Sequence, residues 1–139
     1  MPHITICQVY YSSEKVINQI EKDLRLLQNV PQPHFTGVSF IKDKKFETIW
    51  WAELSVARDP ELITLQQKVV KIVTHYNLSC INDIGELYRP HLTLARINRL
   101  QHLDSLNIHN VLNPSPFMLT IGQGDHLGQF IKVERLVKE

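Results

Sequence analysis

The chain has 139 residues, 43% of them hydrophobic and 21% charged, with a formal net charge of +1. That length suits one domain with a sizeable core. The balance excludes a disordered chain and a protein that coats nucleic acid through a broad basic face, while leaving room for a small cationic site for one phosphate. No run approaches the roughly 18 apolar residues of a membrane span, and no basic stretch followed by an apolar one marks a secretion signal. Cys7 and Cys80 show neither metal-ligand spacing nor a CxxC pair. That argues against a disulfide scaffold and for a reducing, cytoplasmic setting.

In chain order, residues 3–9 alternate as a strand does, with His3, Thr5 and Cys7 on one face and Ile4 and Ile6 on the other. Ser12 and Ser13 offer a helix cap, and Val16, Ile20, Leu24 and Leu27 follow as one apolar helical face. Pro31 and Pro33 close that helix. Strands are predicted at about 35–41 and 46–56, joined by the polar turn Lys42-Asp43-Lys44-Lys45. Asp59-Pro60-Glu61 is a helix start with cap, proline and acid in their usual places. Its buried face is Leu62, Leu65, Val69, Ile72 or Val73, and Tyr76. After Gly85 comes a strand over 89–97, a short helix about 98–106, and strands near 116–122 and 129–136 joined by Gly122-Gln123-Gly124-Asp125.

This order repeats: strand, helix, hairpin from His3 to Val56, a bridging helix, then strand, helix, hairpin from Arg89 to Leu136. Pro2-His3-Ile4-Thr5-Ile6 matches Pro90-His91-Leu92-Thr93-Leu94 position for position, each opening its half. Residues i and i+2 of a strand share a side. Each motif thus projects one imidazole and one hydroxyl, and two such faces meeting would surround one small anion. Imidazoles can serve as base and acid at the same pH, and threonine hydroxyls can donate to phosphoryl oxygens. In-line displacement at a phosphodiester needs that set. A single His-x-Thr is common in strands for packing and propensity alone. It is the matched pair that carries weight.

His34, in Pro33-His34-Phe35-Thr36, imitates the motif without a partner copy. His75, His102, His109 and His126 are scattered, without the close spacing of a zinc site. Trp50 and Trp51 point to opposite faces, one of them toward core and the other free to stack on a nucleobase. Arg89 shares the parity of His91 and Thr93 and can reach a phosphate. Arg96 has the opposite parity and belongs in a surface ion pair unless the strand twists or bulges. Cys7 reads as a small packed residue.

The segment Tyr88-Arg89-Pro90-His91-Leu92-Thr93-Leu94-Ala95-Arg96, with Ile49-Trp50-Trp51, the helix after Asp59 and Gly128-Gln129-Phe130, resembles the 2H phosphoesterase superfamily over essentially the whole chain. It is most similar to the 2′-5′ RNA ligase-like proteins and cyclic phosphodiesterases. The resemblance implies an α+β fold in a single domain, with two pseudo-twofold-related lobes, roughly 1–56 and 57–139, of antiparallel sheet with flanking helices around a central cleft. It implies a phosphodiesterase, without metal or cofactor, acting on 2′,3′-cyclic phosphates or 2′-5′ linkages of RNA ends or small nucleotides. His3 and His91 are the implied acid and base, and Thr5, Thr93 and Arg89 the substrate-binding residues. Such families carry a strand and a helix before the first motif. Here His3 is the third residue, and the final strand, a partner chain or a trimmed start accounts for the difference. Two other classes fit the same residues: a non-catalytic RNA- or nucleotide-binding protein of this fold, and an RNA 2′-5′ ligase.

Overall fold

The structure is a computed structural model describing residues 2–97, 116–125 and 129–138. It is α+β, with two antiparallel sheets and two long helices. Helix α1 spans Glu14–Arg25 and begins where Ser13 Oγ accepts from the Val16 amide at 3.3 Å. Its Ile20 and Leu24 are buried, as the helical spacing predicts. Helix α2 spans Pro60–His75 and buries Leu62, Leu65, Gln66, Val69 and Val73. Val73 rather than Ile72 is therefore the fully buried choice. The Asp59 side chain does not cap α2. Its carboxylate lies 2.7 Å from Nδ1 of the exposed His34, so that pair ties the approach to β1 to the start of α2.

Strands β1 (Phe35–Lys42), β2 (Trp50–Val56) and β3 (His91–Ile97) form a sheet in the order β1-β2-β3. Strand β2 starts later than the alternation predicts, because Asp43 organises a wider turn. Its Oδ1 accepts from the amides of Lys45 and Phe46 at 2.7 and 2.9 Å, and its amide donates to the Ile49 carbonyl at 2.9 Å. Strands β4 (Leu119–Gly124) and β5 (Phe130–Lys138) form the second sheet. The final strand pairs with β4 and meets α1, where Arg25 Nη1 donates to the Val137 carbonyl at 3.1 Å. The helix expected about 98–106 lies outside the described residues.

One core packs Ile20 and Leu24 of α1 against Leu65, Val69 and Val73 of α2, with Leu119 and Val137 from the second sheet. A second, smaller cluster joins Val56, Leu62 and Tyr88, with Ile4 and Ile6 against it. Among the described residues no helix is long and apolar enough to cross a membrane.

Two expectations about the first residues need correction. Residues 3–9 do not form a strand. They make one isolated antiparallel bridge, Ile4 to Leu92, and bend at Ile6. Cys7 and Cys80 are not separate thiols either. They form a disulfide across 73 residues, which sequence spacing does not reveal because the partner loop comes from the other half of the chain. The Ile81 amide donates to the Gln8 carbonyl at 2.7 Å, and Asn82 Oδ1 accepts from the Gln8 amide at 2.6 Å. The inference of a reducing compartment rested on unpaired thiols and loses that basis.

A cross-link closing 73 residues stabilises a fold mainly by restricting the unfolded chain, by about 4 kcal/mol on the loop-entropy model. The Cys7→Ala/Cys80→Ala variant is expected to lose about that much in urea unfolding. Added reductant should then shift the wild type and leave the variant unmoved.

Candidate active site

The geometry starts from the Ile4–Leu92 bridge. In an antiparallel pair, residues flanking a bridge on opposite sides fall beside each other. Thr5 therefore lies next to His91, and His3 next to Thr93. Leu92 is 1% exposed and Ile4 packs against the cluster of Val56, Leu62 and Tyr88. With the aliphatics committed to that side, alternation turns His3, Thr5, His91 and Thr93 to the other. All four are partly exposed. The structure thus brings the four motif residues onto one face.

Strand β2 extends that face. Glu53 pairs with Thr93 and Ser55 with His91, and the Ser55 and Ser39 hydroxyls lie 2.5 Å apart. Ala52, Leu54 and Val56 take the opposite, buried side. Glu53 is the residue that sequence reasoning missed. It is only 3% exposed, and a buried carboxylate is costly unless paired. Its Oε2 lies 2.6 Å from Arg89 Nη1 and its Oε1 3.5 Å from His91 Nε2. Arg89, expected to reach a phosphate, is therefore held on Glu53, with its side chain half exposed. The His91 Nδ1 lies 2.9 Å from the Arg89 carbonyl. A carbonyl only accepts, so Nδ1 donates to it, and Nε2 is the nitrogen on the Glu53 side. A lone carboxylate at the parity of Trp51 was the available sequence signal for Glu53. Its partners across the ladder were not legible.

The first motif is held by the second. Tyr88, 3% exposed, donates its hydroxyl to the Thr5 carbonyl at 3.0 Å. Burial pushes its phenol up to about 12, so it remains a donor. Arg58 clamps the carbonyls of Gly85 and Tyr88 behind it. From the second sheet, the Phe130 ring lies 4.8 Å from the His3 ring between centroids, tilted by 31°. That seat requires Gly122: a Cβ there would stand 1.9 Å from Phe130 Cε2 and 2.6 Å from the Lys132 carbonyl oxygen.

Strand β3 carries an irregularity: Glu53 pairs with Thr93, but Ala52 pairs with Ala95, leaving Leu94 as an extra residue. A bulge reverses parity beyond it. Arg96 pairs with Trp51 and falls on the side of Thr93 and Glu53, which is the exception anticipated for it. Trp51 shares the parity of Glu53, so it is the tryptophan on the site's face. His34 serves the Asp59 pair, and His75 makes an edge contact with Tyr76. His102, His109 and His126 lie outside the described residues. Compared with protein-family models, curated protein sequences and solved structures, the chain matches none.

Two expectations follow. Tyr88→Phe should cost about 1 kcal/mol for the lost hydrogen bond. A phenol whose folded pKa, about 12, exceeds its unfolded value of roughly 10 adds stability fully present below the unfolded value and lost as pH rises through the folded one. The difference between wild type and Tyr88→Phe in urea titrations should therefore shrink from pH 10 upward. Gly122→Ala should expel the Phe130 ring, read by NMR as loss of its ring-current effect on His3. An unchanged His3 spectrum would refute the close packing.

Proposed function

We propose that this protein is a metal-independent phosphodiesterase acting on 2′,3′-cyclic phosphate or 2′-5′ linked RNA ends or nucleotides. The observation that carries the reading is the Ile4–Leu92 bridge, which sets two His-x-Thr pairs beside each other in antiparallel register. In the same reading the bridge marks the pseudo-twofold axis of two lobes that share a cleft.

In this mechanism His91 Nε2 takes a proton from water as the water oxygen attacks phosphorus. His3 gives a proton to the ribose oxygen as the phosphorus–oxygen bond to it breaks. The product is a phosphomonoester and a free hydroxyl. Thr5 and Thr93 donate hydrogen bonds to the non-bridging oxygens as charge gathers there. Glu53, close to His91 Nε2, stabilises the imidazolium that forms. It also fixes Arg89 at the edge of the site, where the half-exposed guanidinium offsets the phosphate charge. With an RNA 5′-hydroxyl in place of water, the same groups would join ends: the 5′-oxygen bonds to phosphorus, the bond to the 3′-oxygen breaks, and a 2′-5′ linkage remains.

His3→Ala and His91→Ala should each lower turnover of a 2′,3′-cyclic mononucleotide by about 10²–10⁴-fold, the usual contribution of a positioned acid or base. Wild-type activity should persist in EDTA and follow a bell in pH that belongs to the coupled pair. Thr→Ala should cost about 1–4 kcal/mol of transition-state stabilisation, with Thr→Ser recovering most of it. Glu53→Gln should lower kcat with little change in KM. Either histidine variant retaining half the wild-type rate would refute the paired mechanism. Binding without any turnover by the wild type would favour the nucleotide-binding alternative.

A further inference from the structure

The far end of the polar face is not used by this mechanism. There the β1–β2 turn carries Lys44 and Lys45, both exposed, followed by Phe46, which is 52% exposed. A lysine-rich turn alone is ordinary solvated surface. This one differs in how it is built and in what it adjoins. The Asp43 carboxylate is turned inward. Its Oδ2 accepts from the Trp51 indole N–H at 2.9 Å, and its Oδ1 accepts from the Lys45 and Phe46 amides. Those donors hold its carboxyl below the usual range, the indole first. The indole's only hydrogen-bond donor is thereby satisfied within the turn, which fixes the ring on the face it shares with Glu53. Directly across the ladder stands Arg96, exposed, brought to this side by the extra residue at Leu94. Among the described residues Lys44 and Arg96 have no acidic partner. Arg96 lies three residues from Thr93, roughly 10 Å along a strand, within the span of an adjoining nucleotide or two.

We infer that the Trp51–Arg96 pair and Lys44 and Lys45 of the β1–β2 turn form a track for single-stranded RNA leading away from the His-x-Thr pairs, so that the preferred substrate is an oligonucleotide end rather than a mononucleotide. The inference rests on the phosphodiester reading for where the strand terminates. The chemistry matches that ligand: a base stacks on an aromatic face whatever its identity, and each backbone phosphate takes one cation. The net charge of +1 fits a local track and not a broad basic coat.

The test measures fluorescence anisotropy of a labelled single-stranded RNA octamer ending in a 3′-phosphate, with the full chain across a salt series. It is paired with turnover of a 2′,3′-cyclic mononucleotide. The Lys44→Ala/Lys45→Ala/Arg96→Ala variant changes only exposed side chains. It should bind the octamer at least tenfold more weakly, and the slope of log K against log salt should flatten by about 2, at about 0.7 per single-strand phosphate contact. Its mononucleotide turnover should stay within about twofold of wild type. Trp51→Ala should weaken octamer binding by about 5–150-fold, the range for one lost base stack, with Trp51→Phe recovering most of it. Equal binding by the triple variant and the wild type overturns the track. So does displacement of the octamer from the wild type by polyglutamate or by phosphatidylserine vesicles at matched charge. If the octamer behaves as expected while the wild type opens neither the cyclic mononucleotide nor the same octamer ending in a 2′,3′-cyclic phosphate, the track stands and the hydrolytic reading falls.

Discussion

The arrangement of the candidate site depends on a single backbone pairing between two aliphatic residues. Ile4 and Leu92 meet antiparallel, and both are committed to the side occupied by Val56, Leu62 and Tyr88. Because strand side chains alternate, burying that pair decides the direction of every neighbour. A slip of one residue would send His3 and Thr5 into the apolar side and Ile4 out to solvent. The cost of that exchange, an aliphatic exposed and polar groups buried without partners, is what specifies the register. The site's chemistry is thus set by a contact that takes no part in it.

The buried carboxylate of Glu53 makes the two motifs unequal. One imidazole, His91, has an anion and a backbone carbonyl beside it. The other, His3, lies against an aromatic ring. Two copies of one short pattern therefore stand in different surroundings. Tyr88 and Arg89, adjacent in the chain, split the supporting work: one secures the first motif's backbone and the other neutralises Glu53.

Period and punctuation made much of this legible. The spacing of Val16, Ile20 and Leu24, the Asp59-Pro60 start and the alternation of β3 all describe local geometry, which the neighbouring residues largely determine. The matched Pro-His-x-Thr segments pointed to four side chains that share one face, because parity is a local property too. What failed was non-local or required counting across a ladder. The partner of Cys7 lies in the other half of the chain, and Asp59 takes His34 in preference to its own helix. The residue opposite Arg96 depends on an irregularity that leaves no mark in the composition of β3. Asp43 shortened a predicted strand because one carboxylate satisfied two amides and an indole at once, where the alternation alone supports continued pairing.

Seen as a tether, the first segment has an unusual mechanical design. Among the described residues one ladder bridge pairs residues 3–9 with a strand, beside the hydrogen bonds at Thr5 and Gln8, and Cys7 is covalently fixed to Cys80. His3 is four residues from that anchor, and a fully extended chain reaches at most about 3.6 Å per residue. Even if the bridge opens, the imidazole remains confined to a sphere of roughly 14 Å radius around its anchor, so its return is an intramolecular search governed by effective concentration. The segment therefore joins one ladder contact to a short covalent leash, which keeps the first imidazole close to the second motif's strand whether or not the bridge is closed.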